Sequence, residues 1–196
     1  MKNRVFMMHR QKRATSNIAI SCAIFLSLLT ATHSVSARYD TFSLKGTLFE
    51  TVGLQYNIDP LLLYSIAIAE SATGVGHGYI VPTALVLRSA DGPVFFKDKK
   101  KAEIELIKIL EKTNLVDVGL MQINVHYHPQ ENPLDLLDPH HNLTEAARYL
   151  KTTLASTTDP VLGVGRYHSW NKNKANWYGN RIWTIYRNLT SLLSET

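Results

Sequence analysis

Three observations predict a mainly α chain with one small β-hairpin insert. Asp-Pro pairs at 59–60, 138–139 and 159–160 each head an apolar-periodic stretch. An Asp that accepts an amide hydrogen bond, followed by a proline with preset φ, is a strong helix start. β-forming residues flank Asp91-Gly92, a pair suited to a tight hairpin turn. After residue 37 no internal repeat, low-complexity stretch or linker breaks the chain, so one domain is expected over 38–196.

Residues 1–37 are set apart from fold reasoning. Lys2, Arg4, Arg10, Lys12 and Arg13 form a basic n-region, residues 18–29 an uncharged, mostly apolar h-region, and Val35-Ser36-Ala37 a small-residue cleavage site. That pattern reads as a secretory signal peptide, so export of the mature chain is expected. The apolar run falls short of the ~20 residues a spanning helix needs, which makes an uncleaved anchor the poorer alternative. Cys22, the one cysteine, lies in the h-region, so no disulfide is expected in the mature chain and its core must hold it together.

The charge belongs to the same segment. The whole chain carries a formal +5, but residues 1–37 hold five of the 21 Lys and Arg and none of the 16 Asp and Glu. The remaining chain is formally neutral, so no basic surface for nucleic acid is implied.

In chain order, Leu44, Leu48, Phe49, Val52 and Leu54 recur at near-helical spacing and predict a first helix ending at Asn57. The Asp59-Pro60 start leads a second, with no charge on any face from Pro60 to Ala69, as in a helix buried all round. Three glycines between Ala72 and Tyr79 stop it. Residues 83–88 and 93–97 predict the hairpin, and residues 98–113 an amphipathic helix whose Lys99, Lys100 and Lys101 form a solvated first turn. Helices follow the Asp138 and Asp159 starts, and a last one is predicted from about Lys174 to Leu193.

Two stretches carry chemistry. The buried second helix closes on a single carboxylate, Glu70. Partial desolvation and the negative end of the helix dipole both disfavour its ionised form and raise its pKa. A carboxylic acid kept protonated near neutral pH is what general-acid cleavage of a glycosidic bond requires. A helix-end Glu turned to solvent is the plainer reading. The second stretch, Val116 to Asn124, reads as a loop in which Gly119 permits a tight backbone and Met121 offers an adaptable apolar surface. Gln122 and Asn124 bring amides that both donate and accept, as sugar hydroxyls and N-acetyl groups require, or that satisfy neighbouring backbone.

Together with Glu70-Ser71, Gly119 to Asn124, Asn142-Leu143 with Ala146-Ala147 and Tyr149-Leu150, and Arg166-Tyr167-His168 stand in order along the chain. In these motifs the sequence resembles the lytic transglycosylases of the soluble-transglycosylase (SLT), lysozyme-like family. The resemblance implies a goose-type/SLT lysozyme-like fold and cleavage of the bond between N-acetylmuramic acid and N-acetylglucosamine in peptidoglycan, leaving a 1,6-anhydromuramoyl end. It implies Glu70 as the catalytic acid and base, Ser71 orienting it or its neighbours, Met121, Gln122 and Asn124 lining the groove, and Tyr167 hydrogen-bonding near Glu70 to hold it in place. Peptidoglycan glycan strands are the implied partner, and no cofactor is called for.

Two features depart from the pattern. Glu70 and Gly119 are separated by 49 positions because of the hairpin and basic helix, and His168 stands where an Asn is usual. Both resemble the branch associated with type IV secretion, conjugation and pilus systems, which would supply further partners. A muramidase that adds water, and a wall-binding assembly module with little catalysis, remain alternatives. Asp117 is the nearest candidate for the second carboxylate a hydrolase usually needs, with anchoring of the motif loop its plainer role. His126, His128, His140, His141 and His168 have no metal-ligand spacing, so no metal site is expected.

Overall fold

The structure, a computed structural model, describes residues 42–76 and 79–194. The segment read as a signal peptide, residues 1–37, lies outside the described residues.

Helix α1, Leu48–Tyr56, starts later than the apolar spacing suggests. Gly46 has a left-handed φ of 76°, and Thr47 caps the helix by accepting the Glu50 amide, so Leu44 precedes it. Asn57, at φ 56°, closes it. Helix α2, Pro60–Ser71, begins at Asp59, whose carboxylate accepts the Leu61 amide at 2.8 Å. Leu63, Ile66 and Ala67 are fully buried in it, as the absence of charge predicts.

The chain then forms an antiparallel hairpin of β1 (Ala72–Gly76) and β2 (Tyr79–Pro82). Its glycines announce a break in the helix but not a strand pair, because Val75, Tyr79, Ile80 and Val81 are all exposed and leave no buried-exposed alternation.

The hairpin expected around Asp91-Gly92 is β3 (Val86–Ser89) and β4 (Gly92–Phe95), with Gly92 at φ 99° in the turn. It is not a free-standing insert. β3 also pairs antiparallel with β5 (Asp117–Val118), and β5 with β6 (Ile123–Asn124), giving a four-stranded sheet in the order β4-β3-β5-β6. The stretch read as a loop is therefore a hairpin that forms one side of the sheet, with β5 inside and β6 at the edge. Between its strands, α3 (Lys99–Leu110) is capped by Asp98 and buries Ala102 and Leu106, while Ile104 and Ile107 stay exposed.

A 3-10 turn, Pro133–Leu137, leads into α4 (Pro139–Ala155), followed by α5 (Pro160–Gly165) and α6 (Lys172–Ser194). Asp138 and Asp159 cap α4 and α5 as expected. α6 packs on both α5 and α2. Its approach to α5 depends on two glycines: a Cβ on Gly165 would stand 1.9 Å from Ala175 O, and one on Gly179 would stand 2.0 Å from Val161 O. That contact brings Tyr178 of α6 against the end of α2. The main core joins Leu63, Ile66, Leu106, Val118, Met121, Leu136, Leu143 and Ile182.

Candidate active site

The end of α2, the four-stranded sheet, α4, the turn after α5 and the start of α6 surround a cleft of about 810 Å³. Glu70 from α2, Arg88 from β3, Asp117, Gln122 and Asn124 from the β5–β6 hairpin, and Tyr178 and Arg181 from α6 all line it.

Glu70 is partly buried in the last turn of α2. The Tyr178 hydroxyl donates to its Oε1 at 2.5 Å. Burial pushes the Glu70 pKa up to about 7 and the Asp117 charge adds to the rise, while the Tyr178 hydrogen bond and the Arg88 and Arg181 charges hold it down. The direction is the one the sequence suggests, with desolvation as the leading cause. Tyr178 is 2 % exposed, and burial and Glu70 raise its own pKa well above the phenol range, so it is a neutral donor. The His168 ring stacks on the Tyr178 ring at 4.9 Å and 8°. Desolvation and nearby Lys174 lower the His168 pKa, so its imidazole is neutral at neutral pH.

Tyr167 is the tyrosine expected to hydrogen-bond near Glu70, and burial together with the Glu70 charge does raise its pKa. It lines the cleft, but its hydroxyl donates to Met121 O at 2.8 Å, and the phenol that meets Glu70 is Tyr178. Tyr178 stands in no motif of the resemblance, and the only sequence signal for it was an aromatic on the α6 face that also buries Ala175 and Ile182.

Ser71 does not face the cleft. Its buried hydroxyl donates to Leu120 O at 2.7 Å, with Ala67 O at 3.1 Å as alternative acceptor, and accepts the Thr83 amide. It ties the end of α2 to the motif hairpin, and so acts on Glu70 only through the backbone. Met121 does not line the groove either: its side chain is fully buried in the core, because the β5–β6 turn directs it inward.

Gln122 and Asn124 do line the cleft, with their amides largely committed. Gln122, at φ 48°, donates from Nε2 to Gly119 O at 2.9 Å, and its Oε1 accepts Arg88 Nε at 3.2 Å. Asn124 Nδ2 donates to Asp117 Oδ1 at 2.8 Å, while its Oδ1 accepts the His126 and Tyr127 amides. Asp117 thus anchors the hairpin and also borders the cleft. Burial raises its pKa, against the Asn124 hydrogen bond and Arg88.

The hairpin is fixed from below by Asn142, a residue the motif named without a role. Its Oδ1 accepts the Met121 amide at 2.8 Å, and its Nδ2 donates to Val118 O at 2.8 Å and Leu136 O at 3.0 Å. Gly119, at φ 79°, leaves room for that amide: a Cβ there would stand 2.6 Å from Asn142 Nδ2.

Exposed aromatic rings border the cleft: Tyr127, Trp170 and Trp177 are 71, 57 and 61 % exposed. Trp170 Nε1 donates to Tyr149 Oη at 3.1 Å and the Arg166 guanidinium lies over the ring at 5.0 Å, so the indole is held in place. Flat apolar faces with polar rims suit the alternating CH and OH faces of sugar rings. Among the described residues, no three His, Cys, Asp or Glu side chains are placed to hold a metal ion.

A family model described as the transglycosylase SLT domain matches residues 47–189. The chain belongs to the SLT transglycosylase family. The match opens at the cap of α1 and ends within α6, so the cleft-lining residues, Ala69 to Arg181, all lie inside the SLT domain. The lysozyme-like, mainly α fold with small antiparallel sheets is that of the SLT domain, whose activity is lytic transglycosylation of peptidoglycan. Comparison with curated proteins and with solved structures gives no match.

Proposed function

We propose that the protein cleaves the MurNAc-β-1,4-GlcNAc bond of peptidoglycan with Glu70 as its single acid and base. The observation that carries this reading is the Glu70–Tyr178 pair, a carboxyl held near pKa 7 at the wall of a sugar-sized cleft. The protonated Glu70 gives its proton to the glycosidic oxygen as the C1–O bond breaks and the N-acetylglucosamine end departs. The resulting carboxylate then takes the proton of the muramoyl 6-hydroxyl as that oxygen bonds to C1, closing the 1,6-anhydro ring and restoring the acid. One carboxyl serves both steps, where hydrolysis ordinarily uses two.

A muramidase reading is favoured by Asp117, a second carboxylate on the same cleft. Digestion of purified sacculi separates the two, because anhydro-ended products are lighter by one water than hydrolytic ones. Release of products should stop in Glu70→Gln, with circular dichroism unchanged. Unaltered release by that variant would remove Glu70 from the reaction.

The leader pattern of residues 1–37 supports export to the periplasm, where this substrate lies. The long 71–118 interval and His168 support a role in opening the wall for an envelope-spanning secretion, conjugation or pilus machine. N-terminal sequencing of the exported protein should begin at Arg38. If the machine still assembles in a Glu70→Gln strain, the protein serves it as a wall-binding module instead.

A further inference from the structure

The β3 strand carries a cation whose place in the cleft none of the motifs explains. On β3, Val86 and Leu87 are buried, whereas Arg88 is exposed and lines the cleft, directly across from Asp117 in the β3–β5 register. Arg88 and Asp117 nevertheless make no ion pair. Among the described residues the ion pairs are Lys108–Glu105 and Arg148–Glu145, and Asp117 Oδ1 accepts the Asn124 amide. Arg88 commits only its Nε, to Gln122 Oε1 at 3.2 Å, and Gln122 is itself fixed by Gly119 O. The guanidinium is thus oriented on one edge while its two terminal nitrogens bond to no described residue. That remaining edge is the geometry that takes a carboxylate with two parallel hydrogen bonds.

The charge count of the cleft points the same way. With Glu70 protonated and His168 neutral, Asp117 is outnumbered by Arg88 and Arg181. Arg181 uses Nη2, the nitrogen shared by both paired edges of its guanidinium, on Ala69 O at 3.4 Å and lies over the Trp177 ring. Arg88 is therefore the cleft cation whose terminal edge is wholly open to an anionic ligand. N-acetylglucosamine has no charge, so the anion on a glycan strand is on the muramoyl residue: a free lactyl carboxylate on bare glycan, or a carboxylate of an attached stem peptide.

We propose that Arg88 is a specificity residue that binds a carboxylate on the muramoyl substituent, so that the inserted hairpin sets which glycan the cleft accepts. This rests on the peptidoglycan reading above. A role confined to orienting Gln122 makes the opposite prediction about conservative variants: Gln at position 88 keeps a hydrogen bond to Gln122 without charge, and Lys keeps the charge with a different reach.

The test is calorimetric binding to the Glu70→Gln protein, which does not consume its ligand. The probes are soluble GlcNAc-MurNAc oligosaccharides, bare or bearing stem peptides, each before and after carbodiimide amidation of its carboxylates. Amidation should weaken binding by about tenfold. Adding Arg88→Gln should bring that ratio near one, and adding Arg88→Lys should retain most of it. Loss of the ratio on the bare glycan identifies the lactyl carboxylate, and loss only on the peptide-bearing glycan identifies the stem. Equal binding before and after amidation, or a ratio kept by Gln and lost by Lys, overturns the proposal and leaves the peptidoglycan reading standing. Failure to bind any of the four probes would overturn both.

Discussion

Tyr178 donates its phenolic proton to Glu70 Oε1 at 2.5 Å, across 108 positions of sequence and between two helices. The two residues define the electrostatics of the cleft. Burial favours the protonated acid, the phenol favours the carboxylate, and the balance leaves Glu70 at a pKa of about 7. An acid and base that must alternate within one turnover work best near that value.

Removing the phenol therefore has a definite sign. In Tyr178→Phe the carboxylate loses a donor, so the Glu70 pKa rises and the alkaline limb of the activity profile moves to higher pH. Turnover at pH 7 should also fall about tenfold or more, because the carboxyl is no longer held in one orientation. Values of kcat/KM against pH for the two proteins check this. A downward shift of the limb would contradict it.

The same carboxyl limits stability. Its folded-state pKa, about 7, lies above its ordinary value of 4.5, so between those values the folded state binds more protons than the unfolded one. Stability is fully present below pH 4.5 and is lost as pH rises to 7. At about 1.4 kcal/mol per unit, the loss is at most about 3 kcal/mol. Glu70→Gln has no such loss, so its urea midpoint should match wild type at pH 4 and exceed it at pH 8.

Asn142 is the keystone of the motif hairpin. Asn142→Ala removes the acceptor of the Met121 amide and the donor to the Val118 and Leu136 carbonyls in a fully buried place. A loss of about 3 kcal/mol or more is expected from denaturant unfolding. Gly119→Ala should cost a similar amount through its clash with the same amide and its left-handed backbone.

Met121→Ala separates a core role from a groove role. Because the side chain is fully buried, the change should cost about 2–5 kcal/mol of stability and shift KM for the glycan by less than twofold under folded conditions. A large rise in KM with unchanged stability would return Met121 to the groove.

Much of this was legible in the sequence. Asp59, Asp138 and Asp159 announced three helices because N-capping is a local interaction. Asp91-Gly92 announced β3–β4 for the same reason. The β1–β2 hairpin and the pairing of β3 with β5 left no such mark, since one is exposed on its strands and the other joins residues about 30 positions apart. In the site, Glu70 was legible from a charge-free helix ending in a carboxylate. Tyr178 was not, because its place depends on the close contact of α5 and α6 through Gly165 and Gly179. Met121 misled because a motif fixes which residue is present, whereas the turn it occupies decides which way the side chain points.

The most direct test of Glu70 as a single acid and base is mass spectrometry of the muropeptides released from purified sacculi. The wild-type protein should give products with 1,6-anhydromuramoyl ends, and Glu70→Gln none above background. Products heavier by one water, with reducing ends, would contradict the account and make Asp117 the residue to examine next.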